Sequence, residues 1–277
     1  MNFLSLLTAA LSLGCCYGLL AIGYGFLYHL CRLFNYAHGD LLMLCGYLSL
    51  FLSRLGVKNG LLLLLSPLLG GLVSFLSEKL VYAPIKGAKP IDTMLAGIGL
   101  SFLFQGAALL LFGATPVSFS DTLALSFGGV RISAFLWLTP LLLIPLSLLY
   151  AKSPLFLRLR AMADDPFGAV CCGISETHCR RIVFLFSGAL AGLCGFLYGQ
   201  EFYLTPSIGT LLGIKAFAAS VLGGGSSPLS SFLGGLLLGL AETLLASLFP
   251  SAFLDAFVFL LLLGLLFFRI KRPLQRA

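Results

Sequence analysis

Glu242 stands inside an otherwise apolar run, 229–248, and is the acid whose position most demands a reason. A charge at bilayer depth is costly, so a carboxylate there is either paired within the protein or placed on a path for solutes. Gly235 and Gly239 precede it at helical spacing and put it on a closely packed face that points at protein. Lys215, in the preceding apolar segment, is a candidate partner. A structural ion pair and a place in a path or gate both stand as readings of these two residues. Asn35 and His38 lie three apart at the start of another apolar run, a spacing that a helix brings onto one face. With Gly39 they are read as closing a helix break, or alternatively as gate residues; Gln105, Gln200 and Glu201 are further polar candidates.

Other chemistry is missing from the sequence. His29, His38 and His178 show no HxxxH or comparable spacing, so no metal site is expected. The run Gly223-Gly224-Gly225-Ser226-Ser227 lacks the lysine of GxxxxGK[ST] and cannot form a Walker phosphate loop. There is no serine nucleophile elbow, no carboxylate pair within one loop and no haem motif. The expectation is therefore a chain with no catalytic residues, no bound cofactor and no ATPase site of its own.

The scaffold for these polar residues must be a membrane one. Apolar residues make up 59% of the 277 and charged residues 10%; the mean hydropathy is +1.06. A soluble domain carries roughly 25% charged residues to cover its surface. Continuous apolar runs such as 61–65 and 260–263 exclude the alternating pattern of a transmembrane barrel. Breaks in hydropathy predict spans near 4–28, 38–53, 60–82, 91–113, 134–151, 181–202, 211–225, 229–248 and 251–269. The fold class is thus all-α, a polytopic bundle of about eight or nine transmembrane helices in one domain, 1–277. The segment 211–225 is short and carries Lys215, so it is open to being re-entrant. Residues 1–28 read as a retained helix: Ser12-Leu13-Gly14-Cys15 has a faint lipoprotein look but no basic segment before it. Small residues four apart (Gly14 and Gly18, Gly188 and Gly192, Gly195 and Gly199, Gly235 and Gly239) argue for close helix packing.

Lysines and arginines set the orientation. With the tail Arg269, Lys271, Arg272 and Arg276 in the cytoplasm, nine crossings put the amino terminus outside. Arg32, Lys79, Lys86, Lys89, Lys152, Arg158, Arg160, Arg180 and Arg181 then join the tail, placing 13 of the 17 basic residues inside. The same distribution accounts for a pI near 9.1 without nucleic acid, because no basic cluster is interleaved with aromatics. The eight cysteines show no CxxC pair and read as small apolar fillers and not as disulfides.

Two connections are long, 114–133 and 152–180. The second holds Asp165-Pro166, an N-cap followed by the residue best tolerated at the first helical position, and Gly173, suited to a left-handed C-cap. A helix of about seven residues between them is too short to stand alone in water and needs a surface to pack on. It is either an interfacial helix or a docking element for a cytoplasmic partner.

This segment, Leu157-Arg158-Leu159-Arg160-Ala161-Met162-Ala163-Asp164-Asp165-Pro166-Phe167-Gly168 and on to Gly173-Ile174, resembles the cytoplasmic coupling loop of ABC importer permeases. Ile85-Lys86-Gly87-Ala88, Gly97-Ile98-Gly99-Leu100-Ser101, the run 184–199 and Val221-Leu222-Gly223-Gly224 with 234–242 are similar to branched-chain amino-acid ABC permeases. Most specific is Asn35-Tyr36-Ala37-His38-Gly39-Asp40, which resembles the Asn-Phe-Ala-His-Gly-Glu signature of one of the two paralogous permeases of these systems. Tyr36 departs from Phe, Asp40 from Glu, and Pro228 follows the glycine turn one place early.

The resemblance implies an ATP-driven importer permease, with branched-chain amino acids as substrate and urea or short-chain amides as the alternative. It implies a second paralogous permease, two cytoplasmic ATPase subunits that use ATP and Mg, and an extracytoplasmic substrate-binding protein. The setting is the inner membrane of a bacterial cell. The cytoplasmic coupling loop is 152–180, with ATPase coupling assigned to Arg158, Arg160, Ala163, Asp164, Asp165, Pro166, Gly168 and Gly173. An ion-coupled secondary transporter would instead show inverted repeats and a midplane carboxylate. Glu242 could serve as that carboxylate, but no repeat is evident.

Overall fold

The computed structural model describes residues 3–119, 123, 125–127, 130–225 and 227–248, with isolated positions at 256, 259, 260, 263 and 264. The predicted span 251–269 and the basic tail lie largely outside the described residues. Among the described residues, helices form where the sequence is continuously apolar: α1 (Phe3–Cys31), α2 (His38–Arg54), α3 (Asn59–Ser77) with a π-turn at Glu78–Tyr82, α4 (Pro90–Phe112) and α5 (Ala134–Lys152). They continue as α6 (Pro154–Asp164), α7 (Pro166–Cys171), α8 (Glu176–Glu201), α9 (Ile208–Gly223) and α10 (Pro228–Leu248). Six of these stretches are long and apolar enough to cross a membrane: Leu6–Cys31, Asn59–Tyr82, Ile91–Phe112, Ala134–Lys152, Glu176–Glu201 and Pro228–Leu248. The chain is a helical membrane bundle.

The all-α expectation has one small exception. The 114–133 connection contains an antiparallel pair, β1 (Leu125–Phe127) and β2 (Val130–Ile132), with Ser126 in register with Arg131. The 152–180 segment also holds more order than a loop. Ser153 accepts a hydrogen bond from the Leu155 amide and Pro154 opens α6, whose Phe156, Leu159 and Met162 turn inward at three-residue spacing.

α1 and α8 form the buried centre. α10 packs along α1, α3 along α8, and α2 lies against both α8 and α9. These approaches need glycine. A Cβ on Gly192 would sit 2.9 Å from the Gly70 Cα, and one on Gly235 would strike the Gly18 backbone.

α2 and α9, at 17 and 16 residues, are shorter than these six stretches, and both begin inside the bundle. After α1 the chain turns at Arg32 (φ 51°) and runs back through the non-helical 33–37. His38 lies beside Gly23, eight residues before the end of α1, or about 12 Å up its axis. α9 begins where Gly209 meets Gly39 and Asp40, and it ends with Gly223 against Ser230. The irregular stretch before it is tied down by two backbone bonds between Val117 and Leu204, 3.1 and 2.7 Å, and by Tyr47 donating to the Leu204 carbonyl. Broken backbone survives at this depth only because protein groups satisfy it.

Candidate functional site

Three polar assemblies emerge from this architecture. The first is the α6–α7 surface at one end of the bundle. Asp165 caps α7 by accepting from the Gly168 amide at 3.1 Å. Gly173 takes φ +81°, and the amides of Cys172, Gly173 and Ile174 close back onto the Gly168, Val170 and Ala169 carbonyls. Capped at both ends, α7 turns Ala169 inward and leaves Phe167 82% exposed, with Val170, Asp164, Asp165 and Pro166 exposed around it. Arg158 is also exposed, whereas Arg160 is drawn aside to lie over the Tyr150 ring at 5.1 Å.

Struts fix this surface to the bundle. Arg32 donates to the Ala163 carbonyl at 3.0 Å, tying the α6–α7 junction to the end of α1. Glu78, fully buried in the π-turn, accepts from Arg180 at 2.8 Å and from Arg181 at 3.3 Å at the start of α8. The third strut, Lys86–Glu176 at 2.9 Å, is half exposed and holds little. Glu78 was not among the sequence candidates. A π-turn has no sequence signature, and an acid at the end of an apolar run reads as an ordinary interfacial charge.

The second assembly surrounds the start of α2. Asn35 precedes the helix, so the expectation that it and His38 share a helical face is not met. Its side-chain oxygen instead accepts from the Ala37 amide at 3.0 Å and from the Tyr82 hydroxyl at 2.7 Å, which closes the break between α1 and α2 and ties it to the π-turn. His38 is fully buried, edge-on to Tyr24 at 4.7 Å, and among the described residues neither ring nitrogen has a hydrogen-bond partner. Gly39 serves close approach, since a Cβ there would strike the Gly209 carbonyl.

Asp40, one residue further on, is the hub. Its carboxylate accepts from the Ser101 hydroxyl, from Gln105 Nε2 at 3.2 Å and from the Thr210 hydroxyl at 3.3 Å. It lies in the first turn of α2 and beside the first turn of α9, so two helix N-termini face one anion. Beside this hub a cleft of about 600 Å³ opens between Phe102, Gln105, Gly106 and Leu109 of α4 and the turn at 205–207.

The third assembly answers the question posed by Glu242. Lys215 Nζ meets Glu242 Oε1 at 2.7 Å, and the Tyr17 hydroxyl donates to Oε2 at 2.8 Å. The two charged side chains are 2% and 8% exposed, so α9, α10 and α1 are joined by a dry ion pair. Among the described residues no group of His, Cys, Asp and Glu is placed to hold a metal ion.

The family model for the branched-chain amino acid transport system permease component matches residues 6–268. The high-affinity branched-chain amino acid transport system permease protein BraD of Pseudomonas aeruginosa is 31% identical over 289 residues, covering 97% of this chain and 94% of BraD. The corresponding LivH protein of Escherichia coli is 30% identical, covering 95% of this chain and 92% of LivH. A probable LivH permease of Methanocaldococcus jannaschii is 29% identical over 87% of this chain and 80% of its own length. No solved structure matches.

Proposed function

This chain belongs to the branched-chain amino acid transport permease family, and from that premise we propose that it is the membrane-spanning subunit of an ATP-driven importer of branched-chain amino acids. The observation that carries the reading is α7. A six-residue helix capped at both ends, presenting an exposed Phe167 and Val170 on a charged surface, is shaped to sit in a partner's groove. Its partners are two cytoplasmic ATPase subunits, which use ATP and Mg, a second paralogous permease and an extracytoplasmic binding protein. Without GxxxxGK[ST], this chain leaves ATP hydrolysis to those subunits.

In this reading the chain is a multi-pass inner-membrane protein of eight or nine crossings, short helices and the 251–269 segment included, with the basic carboxyl-terminal tail and α6–α7 in the cytoplasm and the amino terminus outside. Closure of the ATPases pushes on 163–173. The push passes through Arg32 to α1 and through Glu78 to the π-turn of α3, so that α1, α3 and α8 move together. Residues Arg158, Ala163, Asp164, Asp165, Pro166, Gly168 and Gly173 form or shape the contact surface, while Arg160 holds α6 to α5. Glu242, Lys215, Asn35, His38 and Gly39 act chiefly as the joints of the bundle.

The test is uptake of labelled leucine in cells lacking their own system and supplied with this chain and its companion subunits, with labelled urea and acetamide in parallel. Leucine uptake that is lost when this chain or either ATPase is omitted supports the proposal. Uptake of urea or acetamide alone moves the substrate and keeps the class. ATP-independent uptake refutes the importer.

A further inference from the structure

We propose that the cleft between α4 and the Thr205-Pro206-Ser207 turn is a way-station for the transported amino acid. There the Gln105 side-chain carbonyl takes the ammonium group, and Phe102 and Leu109 take the apolar side chain. The inference rests on the importer reading and adds the place and the contacts.

Gln105 is oriented by its neighbours. A carboxylate only accepts hydrogen bonds, so the amide nitrogen must face Asp40. Nε2 donates there at 3.2 Å, to the Thr210 hydroxyl at 2.7 Å and to the Ser101 hydroxyl at 3.3 Å, which occupies both its protons. None of these bonds uses the carbonyl oxygen, and the half-buried side chain lines the cleft. A fixed acceptor at the wall is what an ammonium group needs. The exposed Ser207 hydroxyl supplies a donor for a carboxylate at the far rim.

Size and charge agree. At about 600 Å³ the cleft is of the order of small-molecule sites, which run from about 300 to 1,000 Å³. Its lining residues carry no formal charge, which suits a zwitterion with an apolar side chain better than an inorganic ion or a net-charged solute. Neutral contacts also hold weakly, and a passage must release what it takes. The cleft runs from beside the Asp40 hub, inside the bundle, toward Ala114 and 205–207, on the side away from α7. That is the side where a binding protein would deliver cargo in the proposed orientation.

The test uses the complete complex in proteoliposomes, with one binding protein throughout so that changes in selectivity belong to the permease. Phe102→Ala and Leu109→Ala are expected to shift the leucine-to-phenylalanine uptake ratio by about tenfold, the lower end of what one apolar contact discriminates. Gln105→Leu, which also takes a donor from Asp40, is expected to cut leucine uptake per assembled complex by about tenfold. Ser207→Cys, in a background with Cys171 and Cys172 replaced by serine, exchanges the exposed rim hydroxyl for a thiol, and its uptake before labelling is the reference. A small thiol reagent added outside should block its uptake, and leucine-loaded binding protein should slow the labelling.

Either of two results overturns the proposal: ratios and rates within twofold of the parent in all three cleft variants, or labelling at 207 that leaves uptake intact. Absence of ATP-dependent leucine uptake by the parent complex would instead refute the importer reading itself, and the two failures are thereby told apart.

Discussion

Glu242→Leu removes the carboxylate that Lys215 holds at 2.7 Å, in a site where the two side chains are 2% and 8% exposed. Lys215→Met makes the converse change. In so dry a setting the loss of one partner costs about 3–5 kcal/mol, because the remaining charge stays desolvated. Glu242→Leu also takes the acceptor from the buried Tyr17 hydroxyl, which adds about 1–3 kcal/mol. A paired replacement, Lys215→Met with Glu242→Gln, removes both charges and keeps an acceptor for Tyr17. It should return to within about 1–2 kcal/mol of the parent. For a chain of this size 1 kcal/mol is about 2–4 °C in melting temperature. The single variants should therefore melt at least about 6 °C lower in detergent, and the paired one much nearer the parent. The assay is size-exclusion recovery after graded heating. Single variants that melt within 2 °C of the parent would refute the view that this pair joins α9 to α10 and α1. A paired variant as unstable as the sum of the singles would refute it equally.

Other variants probe the struts and caps. Glu78→Gln leaves Arg180 and Arg181 with a neutral partner and weakens charge-assisted bonds by about 2 kcal/mol; uptake per ATP hydrolysed should fall severalfold while the complex still assembles, and an unchanged ratio counts against load transfer through the π-turn. Gly173→Asp must adopt φ +81°, at a cost of about 1 kcal/mol, and adds a charge at the end of α7; the protein should reach the membrane yet lose uptake, and normal transport would sink the docking assignment. Phe167→Asp changes an 82% exposed side chain, so melting should move by less than about 2 °C while co-purification of the ATPases drops.

Much of the bundle was legible because lipid as a solvent demands continuous apolar runs, and their edges fall within a few residues of the helix ends. The caps of α7 were equally readable, since Asp165, Pro166 and Gly173 each do one local job. α6 was hidden because Arg158 and Arg160 interrupt the inward stripe of Phe156, Leu159 and Met162 in composition, though not in periodicity. The Asn35–His38 spacing misled because α2 starts at His38, and a three-residue offset means nothing across a break. Asp40 showed only as one member of a signature. Its hub depends on Ser101, Gln105 and Thr210, which lie 61, 65 and 170 positions away and are brought together where α4 and α9 both meet the start of α2.

The mid-bundle starts of α2 and α9 bear on how the chain is built into a membrane. A translocating channel releases segments to lipid according to apolar length, and about 20 residues are needed to span. Neither half-helix meets that, and α9 brings Lys215, which on insertion scales is unfavourable by about 2.5–3.5 kcal/mol at a helix centre. α9 therefore cannot settle when it emerges from the ribosome. Only α10 brings the carboxylate that Lys215 meets at 2.7 Å, so release of the two as one hairpin would spare an unpaired charge in lipid. α2 can lean at once on α1, already made, but the Asp40 hub closes only after Thr210 has been synthesised.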